Sequence, residues 1–333
     1  MSVQPDEVTV RAVASTDLDD WVGAVAWDPT GSVVAGACAD GRVVTLAAAD
    51  GAVREVGRHS EPATHVAWSP DGVLASTGQD GVVLLGDAGR VVLEGRGWPQ
   101  ALAWRPDGRR LAVARGRQVH LLDQDGATVG TSKPFPATVS SLAWSTRGGR
   151  LAAGTYGGVR MLQGDGLRTD RWLRWEGSVL AVAVSPDGRR LAHGNQDDSV
   201  LFWDLGGRNQ LEMQGYETKV QELSWRADGR LLATGGGQAV TVWDFAGRGP
   251  AGSRPLELDH HEQPVSWVGF APTGDLLATV AFDGRLVLWR PPHDRPVAGV
   301  EIEDALTCGA WSPDGRRLAV GGTDGTLAVV ELA

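Results

Sequence analysis

The chain has 333 residues and a formal net charge of −10, with 31 lysine and arginine residues against 41 aspartate and glutamate residues. This acidic balance argues against a general binder of nucleic acid or of anionic membranes, because both need a net basic face. No run approaches the length of about 18 apolar residues that a membrane-spanning helix needs.

The N-terminal residues 1–7 are polar and acidic and hold no apolar segment of signal-peptide length. We therefore expect a cytoplasmic protein. Residues 8–14, Val-Thr-Val-Arg-Ala-Val-Ala, then predict a lone outer strand, because apolar and β-branched residues dominate them.

The rest of the chain is a series of similar units. They centre on residues 22–48, 63–87, 99–123, 138–162, 178–204, 219–244, 264–290 and 305–332. Each unit has an anchor residue at the end of its first strand: Trp27, Trp68, Trp104, Trp144, Val184, Trp225, Phe270 and Trp311. The steps between successive anchors are 41, 36, 40, 40, 41, 45 and 41 residues, and a period of this kind marks a repeat architecture.

Every unit predicts strands joined by tight turns. A turn of the Pro-Asp-Gly type follows the anchor, with proline preset for the first corner and glycine free to take a positive φ. Turn signals then recur between short apolar, β-rich runs, which favours an all-β fold. The last unit, 305–332, ends after its third strand, so the spare strand 8–14 would complete it and tie the two ends of the chain together.

These repeats resemble the WD-repeat β-propeller family over essentially the whole chain. The family's terminal dipeptide stands at Trp203-Asp204 and Trp243-Asp244, with Trp289-Arg290 as a variant, and its histidine stands at His59 and His261. The resemblance implies a single closed propeller spanning residues 1–333. Eight units predict eight four-stranded blades; the alternative is seven, the commonest number in the family. It also implies one complete structural tetrad: His261, Thr279, Asp283 and Trp289.

Catalytic and metal-binding patterns are not evident in the sequence. There is no Gly-x-Ser-x-Gly elbow, no His-Glu-x-x-His and no phosphate-binding loop. The nearest approach to a metal cluster is His260, His261, Glu262 and His293, but the resemblance places His293 on the opposite face from His260. We predict no catalytic residue, no metal and no cofactor. Cys38 and Cys308 are expected to be buried free thiols, although they fall in the first and last units, where a bridge is conceivable.

Partner-binding candidates come from aromatic residues outside the repeat positions. Trp21 and Trp98 lie six residues before their anchors, which the resemblance places on the top face around the channel mouth. Phe282 and Tyr156 lie at turns between second and third strands, also on that face. Exposed aromatics ringed by polar groups are what binding hot spots need. The alternative for Trp21 and Trp98 is that each covers the end of its own blade. Trp172 is placed in a loop, and Trp175 and Trp267 are expected to pack.

Charge gives a second indication of partner chemistry. The loops that lead into first strands carry these carboxylates: Asp17, Asp19, Asp20, Glu61, Glu176, Glu217, Asp259, Glu262, Glu303 and Asp304. They are partly offset by these cations: Arg58, Arg96, Lys133, Arg171, Arg174 and Lys219. An acidic top face holding aromatics would favour a basic segment of a partner. Plain solvation of loops is the alternative.

Two functions are consistent with these features. The first is a non-catalytic scaffold that binds a protein or peptide on the top face, with Trp21, Trp98, Phe282 and Tyr156 as apolar anchors and Asp19, Glu217 and Glu262 as charges. The second is a propeller that binds a small molecule or metal at the channel mouth, with enzymatic activity as an option. For the first we expect a monomer that binds neither nucleic acid nor membranes.

Overall fold

We describe the protein from a computed structural model, which covers residues 8–207, 210–246 and 249–333. In these residues the ordered backbone is built from strands, and no helix long and apolar enough to cross a membrane is found. The all-β prediction is confirmed.

Six of the sheets have four strands each. Five run in sequence order, from β2 to β13 and from β20 to β27. Their strands are β2 Val22–Trp27, β3 Val33–Cys38, β4 Arg42–Ala47, β5 Val53–Arg58; β6 Ala63–Trp68, β7 Leu74–Gly78, β8 Val83–Leu85, β9 Arg90–Leu93; β10 Pro99–Trp104, β11 Leu111–Arg115, β12 Gln118–Leu122, β13 Thr128–Thr131; β20 Glu222–Trp225, β21 Leu231–Gly235, β22 Val240–Asp244, β23 Leu256–Leu258; β24 Val265–Phe270, β25 Leu277–Ala281, β26 Arg285–Trp289, β27 Pro296–Glu301. The sixth contains β1 Val10–Asp17, β28 Leu306–Trp311, β29 Arg317–Gly322 and β30 Thr326–Leu332.

The seventh sheet has six strands and joins the fourth and fifth repeat units. Its strands are β14 Val139–Trp144, β15 Arg150–Gln163, β16 Arg168–Val184, β17 Arg190–Asn195, β18 Val200–Asp204 and β19 Gln210–Met213. The propeller therefore has seven separate sheets, which is the count predicted as the alternative. The expectation of eight separate four-stranded blades needs this correction.

The two long strands explain the merger. Residues 168–174 of β16 pair with β15, and residues 179–184 pair with β17, with no break between them. Elsewhere proline, aspartate or glycine interrupts the chain before each first strand, whereas residues 171–176 carry none of these three residue types. Trp172, predicted to lie in a loop, accordingly lies inside β16. Gly158 is required nearby: its φ is +113°, and a Cβ there would stand 2.0 Å from the carbonyl oxygen of Leu173.

First strands of all the repeat units surround the central axis and are tied together by their anchors. The indole Nε1 of Trp144 donates to Ala103 O, and that of Trp225 donates to Ala183 O, each on the preceding unit. Trp27 closes the circle, because its Nε1 donates to Ala310 O of the last unit at 3.1 Å. Trp104 and Trp311 make the same bond, to Ala67 O and Gly269 O, so these five tryptophans satisfy their polar atom across the seam that the ring fills. The Nε1 of Trp68 is the exception, because it is buried without a hydrogen-bond partner.

The ends of the chain meet in one sheet. β1 pairs antiparallel with β30, from Val10 opposite Leu332 to Asp17 opposite Thr326. The strand is two residues later than the predicted 8–14, and it covers the outer edge of β30. Closing an open sheet edge in this way removes a site for unwanted strand pairing.

The tetrad residues form one continuous hydrogen-bonded network. His261 Nδ1 donates to the Asp283 carboxylate at 3.2 Å, the Thr279 hydroxyl donates to His261 Nε2 at 2.7 Å, and Trp289 Nε1 donates to Thr279 Oγ1 at 3.0 Å. Burial opposes the charge on Asp283, but backbone N–H groups of Glu262 and Arg285 hold its pKa below the ordinary value. The network fixes the loop before β24 to its sheet.

A second network replaces the histidine with a tyrosine. The Tyr216 hydroxyl lies 2.8 Å from Thr234 Oγ1 and accepts a bond from Trp243 Nε1 at 3.0 Å. The sixth unit lacks both the histidine and the turn aspartate, yet its loop is anchored in the same way. This substitution was not predicted from the sequence.

Both cysteines are buried free thiols, as expected. Burial raises the pKa of Cys38 and that of Cys308 to about 12. A thiol is reactive as its thiolate, so both are poor nucleophiles at neutral pH.

Candidate functional site

Four aromatic side chains stand out on the top face, which consists of the loops before first strands and the turns between second and third strands. Trp21, Trp98, Tyr156 and Phe282 are 45%, 46%, 58% and 39% exposed. Every other aromatic side chain in the described residues is buried or half-buried. Exposure therefore distinguishes the four partner candidates from the aromatic repeat anchors, which are buried or half-buried.

Trp21 lies in a tight acidic loop between β1 and β2. Asp19 adopts a φ of +59°, and its backbone N–H donates to Asp17 Oδ1 at 2.8 Å. The backbone N–H of Trp21 lies 2.8 Å from Asp20 Oδ1. The loop is held by its own carboxylates, which leaves the Trp21 ring and the Asp19 carboxylate facing solvent.

Glu217, Glu262 and Phe282 come together on neighbouring units. Gln238 joins the first two, because its backbone N–H points to Glu217 Oε2 at 3.4 Å and its side-chain amide donates to Glu262 O at 2.9 Å. The Glu262 carboxylate is 2.9 Å from Arg285, so its charge is partly neutralised. Trp98 and Tyr156 belong to the third and fourth units, so the candidates are distributed around the rim.

A pocket of 360 Å³ opens at the channel mouth beside Phe282. Its lining includes Lys219, Glu222, Gly236, Ser266 and Thr307. Glu222 was missed by the sequence reasoning, because it occupies an ordinary first-strand position. Glu222 lines the pocket and is half-buried. Enclosure by the surrounding first strands raises the pKa of its carboxyl from 4.5 to about 8, and a hydrogen bond from the Val268 backbone acts in the opposite direction.

The charge of the top face departs at several positions from the expected acidic face that cations partly offset. Asp304 is buried and accepts bonds from Thr323 Oγ1 and the backbone of Asp324, so it is a structural group. Arg171 donates to Leu205 O and Gly207 O on the opposite face. A sector at the third and fourth units is basic and includes Arg96, Arg117, Lys133, Arg160 and Arg174.

The two histidines of the loop before β24 have structural contacts. Within residues 8–207, 210–246 and 249–333, no group of three or more His, Cys, Asp or Glu side chains is arranged to hold a metal ion. His260 packs edge-on to Trp289 at 6.1 Å between centroids, and His261 is committed to the tetrad.

The repeats match two family models. The model described as WD domain, G-beta repeat matches residues 51–87, 172–204 and 207–244. The model described as Anaphase-promoting complex subunit 4 WD40 domain matches residues 268–333. Together with the fold, these matches show that the chain belongs to the WD-repeat β-propeller proteins.

Relatives and a solved structure support the same family and fold. The chain is 27% identical over 141 residues to Angio-associated migratory cell protein of Homo sapiens, covering 42% of this chain and 31% of that protein. It is 32% identical over 151 residues to Protein HIR1 of Mycosarcoma maydis, covering 38% of this chain and 14% of that protein. The matches thus span a third or less of these relatives. The crystal structure of the computationally designed Ika8 protein superposes with a TM-score of 0.79 at 17% identity, over 96% of this chain and 99% of that one, which supports the fold alone.

Proposed function

We propose that this protein is a non-catalytic scaffold that binds a partner protein or peptide on its top face. WD40 propellers generally serve as platforms for protein interactions. The observation that carries the proposal is that the only aromatics left exposed in the described residues, Trp21, Trp98, Tyr156 and Phe282, all lie on that face. Large aromatics are costly to leave in water, and they dominate binding hot spots.

The partner segment that fits the acidic part of the rim is basic. Asp19 and Glu217 are exposed, and neither takes part in an ion pair within the described chain. They flank the aromatic positions Trp21 and Phe282 along the rim. A lysine or arginine of the partner could pair with these carboxylates and stack on the rings. The monomeric state and cytoplasmic location stay predictions.

Replacing Trp21 and Trp98 by alanine should remove binding and leave the fold intact. Both side chains are about half exposed, so their loss should lower stability by less than about 1 kcal/mol. The measurement is capture of partners from lysate of the source cells, read by mass spectrometry, with the thermal midpoint recorded in parallel.

A matched control exists on the outer strands. Val91 and Val129 are 53% and 41% exposed, and a Val91→Ala, Val129→Ala variant should keep every partner. If the tryptophan double variant melts many degrees lower, the two rings are structural and the assignment fails. It fails equally if both double variants retain the same proteins.

The channel-mouth pocket favours a second candidate, a small-molecule site. Phe282, Lys219 and Glu222 offer an apolar wall, a cation and a carboxyl that is largely protonated at neutral pH. Such a site predicts that some small molecules raise the thermal midpoint of the wild type and do so less for Phe282→Ala. A screen in which every stabilising molecule acts equally on Trp21→Ala and Phe282→Ala would remove this candidate.

A further inference from the structure

A cluster of arginine and aromatic side chains, here called the Arg160 cluster, lies on the outer part of the fourth unit. It consists of Arg117, Phe135, Arg160, Trp172 and Arg174. The Arg160 guanidinium lies 4.7 Å from the Phe135 ring centroid and 4.5 Å from that of Trp172, and the Arg174 guanidinium lies 4.4 Å from the Trp172 centroid. Arg117 Nε donates to Phe135 O at 2.6 Å.

The cluster is held rigidly by the surrounding sheet. Arg160 and Trp172 are direct partners in the β15–β16 pairing. The indole Nε1 of Trp172 donates to Gly157 O at 3.0 Å, which fixes the ring that both guanidinium groups stack on. The arginines are therefore ordered before any ligand arrives, and binding needs little further loss of side-chain freedom.

The positive charge of the cluster is not neutralised within the described chain. None of the ion pairs in that part of the protein includes Arg117, Arg160 or Arg174. The Arg160 Nε is buried without a hydrogen-bond partner. Burial also lowers the pKa of Arg160, because removing its charge from water is unfavourable.

The neighbourhood leaves the cluster accessible and more basic. Arg117 and Arg174 are exposed, and exposed Lys133 lies two residues before Phe135. Tyr156 is 58% exposed and lies within β15, at the turn between the second and third strands of the fourth unit. Its ring adds an exposed apolar surface near the cluster. Cations held close together without ion-pair partners form a ready site for a negatively charged group.

We propose that the Arg160 cluster is a docking site for an aspartate- and glutamate-rich segment of a partner protein. Guanidinium groups bind carboxylates through paired, charge-assisted hydrogen bonds. A short acidic segment fits a small basic sector on a protein whose net charge is −10; a long nucleic acid would meet the acidic remainder of the surface. This site is separate from Trp21 and adds an acidic partner segment to the basic one proposed above.

Fluorescence anisotropy with a labelled peptide of alternating glutamate and glycine tests the proposal. The wild type should bind the peptide, and more weakly as salt is raised. An Arg160→Gln, Arg174→Gln variant should bind at least about tenfold more weakly, the effect of losing one charge-assisted hydrogen bond. Because Arg174 is exposed, Arg174→Gln alone should fold normally and still lose several-fold in affinity, which covers the case in which the double variant unfolds.

The matched control removes the same charge from the opposite face. Arg189 and Arg316 are exposed in turns after the anchors, and Arg189→Gln, Arg316→Gln should bind the peptide as the wild type does. Trp21→Ala should also bind normally, which separates this site from the top-face proposal.

Four results would overturn the assignment. They are absence of binding by the wild type, an equal loss in the control variant, tighter arginine-dependent binding of a single-stranded oligonucleotide of the same charge, and self-association that disappears with the Arg160→Gln, Arg174→Gln change.

Discussion

Replacing Glu222 by glutamine should stabilise the folded protein increasingly as the pH rises. The Glu222 carboxyl lies inside the ring, and burial raises its pKa from 4.5 to about 8. Lys219 lines the same pocket but forms no ion pair with it. A carboxylate enclosed without an ion-pair partner is unfavourable, so the folded protein keeps the proton that the unfolded chain releases.

The sign of the pH effect follows from proton binding. Below pH 4.5 the carboxyl is protonated in both states and contributes no penalty. Between pH 4.5 and about 8 the unfolded chain loses the proton and the folded protein keeps it, so the free energy of unfolding falls as the pH rises. Above about pH 8 the free energy of unfolding falls no further. The total decrease is at most about 5 kcal/mol, because each pH unit between the unfolded and folded pKa values lowers the free energy of unfolding by about 1.4 kcal/mol.

Urea denaturation at about pH 5 and about pH 8 measures this effect. Glutamine cannot ionise, so Glu222→Gln should gain about 2–5 kcal/mol over the wild type at the higher pH and about 1 kcal/mol or less at the lower pH. Comparing variant with wild type at each pH cancels the contributions of the buried histidines.

Glu217→Gln is the control for Glu222→Gln. Glu217 is exposed near the same channel mouth, so its replacement should change stability little at either pH. A stability difference between Glu222→Gln and the wild type that does not grow with pH would show that the carboxyl is hydrated through the pocket and ionises normally.

The features predicted correctly from the sequence are those with a local cause. Pro-Asp-Gly turns and anchors such as Trp144 define each unit within a few residues, and the anchors donate across the seams at one repeated place. The exposed state of Trp21 and Trp98 agrees with the top-face position that the resemblance to WD-repeat proteins implies for residues six before an anchor. Repetition made each weak signal strong, because the same short pattern recurred in unit after unit.

The features that were missed depend on contacts between distant residues. The shared sheet of the fourth and fifth units arises because residues 171–176 contain no proline, aspartate or glycine to end a strand, and the absence of a signal is easily overlooked. Phe135, Arg160 and Trp172 become neighbours only through the pairing register of β15 and β16. The raised pKa of Glu222 likewise depends on enclosure by the surrounding units. Charge summed over loops therefore suggested an acidic face that cations partly offset, whereas the folded chain separates acidic and basic sectors.

Among alanine replacements of the anchor tryptophans, Trp27→Ala should lower the free energy of unfolding the most. Trp27 is 7% exposed and belongs to the core formed by the first and last units, with Val34, Leu327 and Val329. Its Nε1 donates to Ala310 O, and the Arg317 guanidinium lies 5.3 Å from its ring centroid. Truncation removes the ring, opens a cavity and leaves the carbonyl unpaired, which should cost about 3–5 kcal/mol.

This seam differs from the others because it joins the two ends of the chain. Every other sheet is formed by consecutive strands, whereas the last sheet is completed by β1, which is held by its pairing with β30 and continues along the chain into β2. Contacts such as that of Trp27 then join β2 to β28. Loosening it should therefore release β1 and β30 before the rest of the ring opens. Hydrogen exchange followed by mass spectrometry should show faster exchange in β1, β2, β28 and β30 than in β20 to β23.

Two further variants separate packing from hydrogen bonding. Trp27→Phe keeps most of the ring volume and loses the Nε1 donor, so it should cost about 1–2 kcal/mol. Trp21→Ala removes a tryptophan six residues earlier that is 45% exposed, and it should leave both stability and exchange nearly unchanged. Equal destabilisation by Trp27→Ala and Trp21→Ala, or uniform acceleration of exchange around the ring, would show that the closure does not depend on the Trp27 contact and that the propeller opens as one unit.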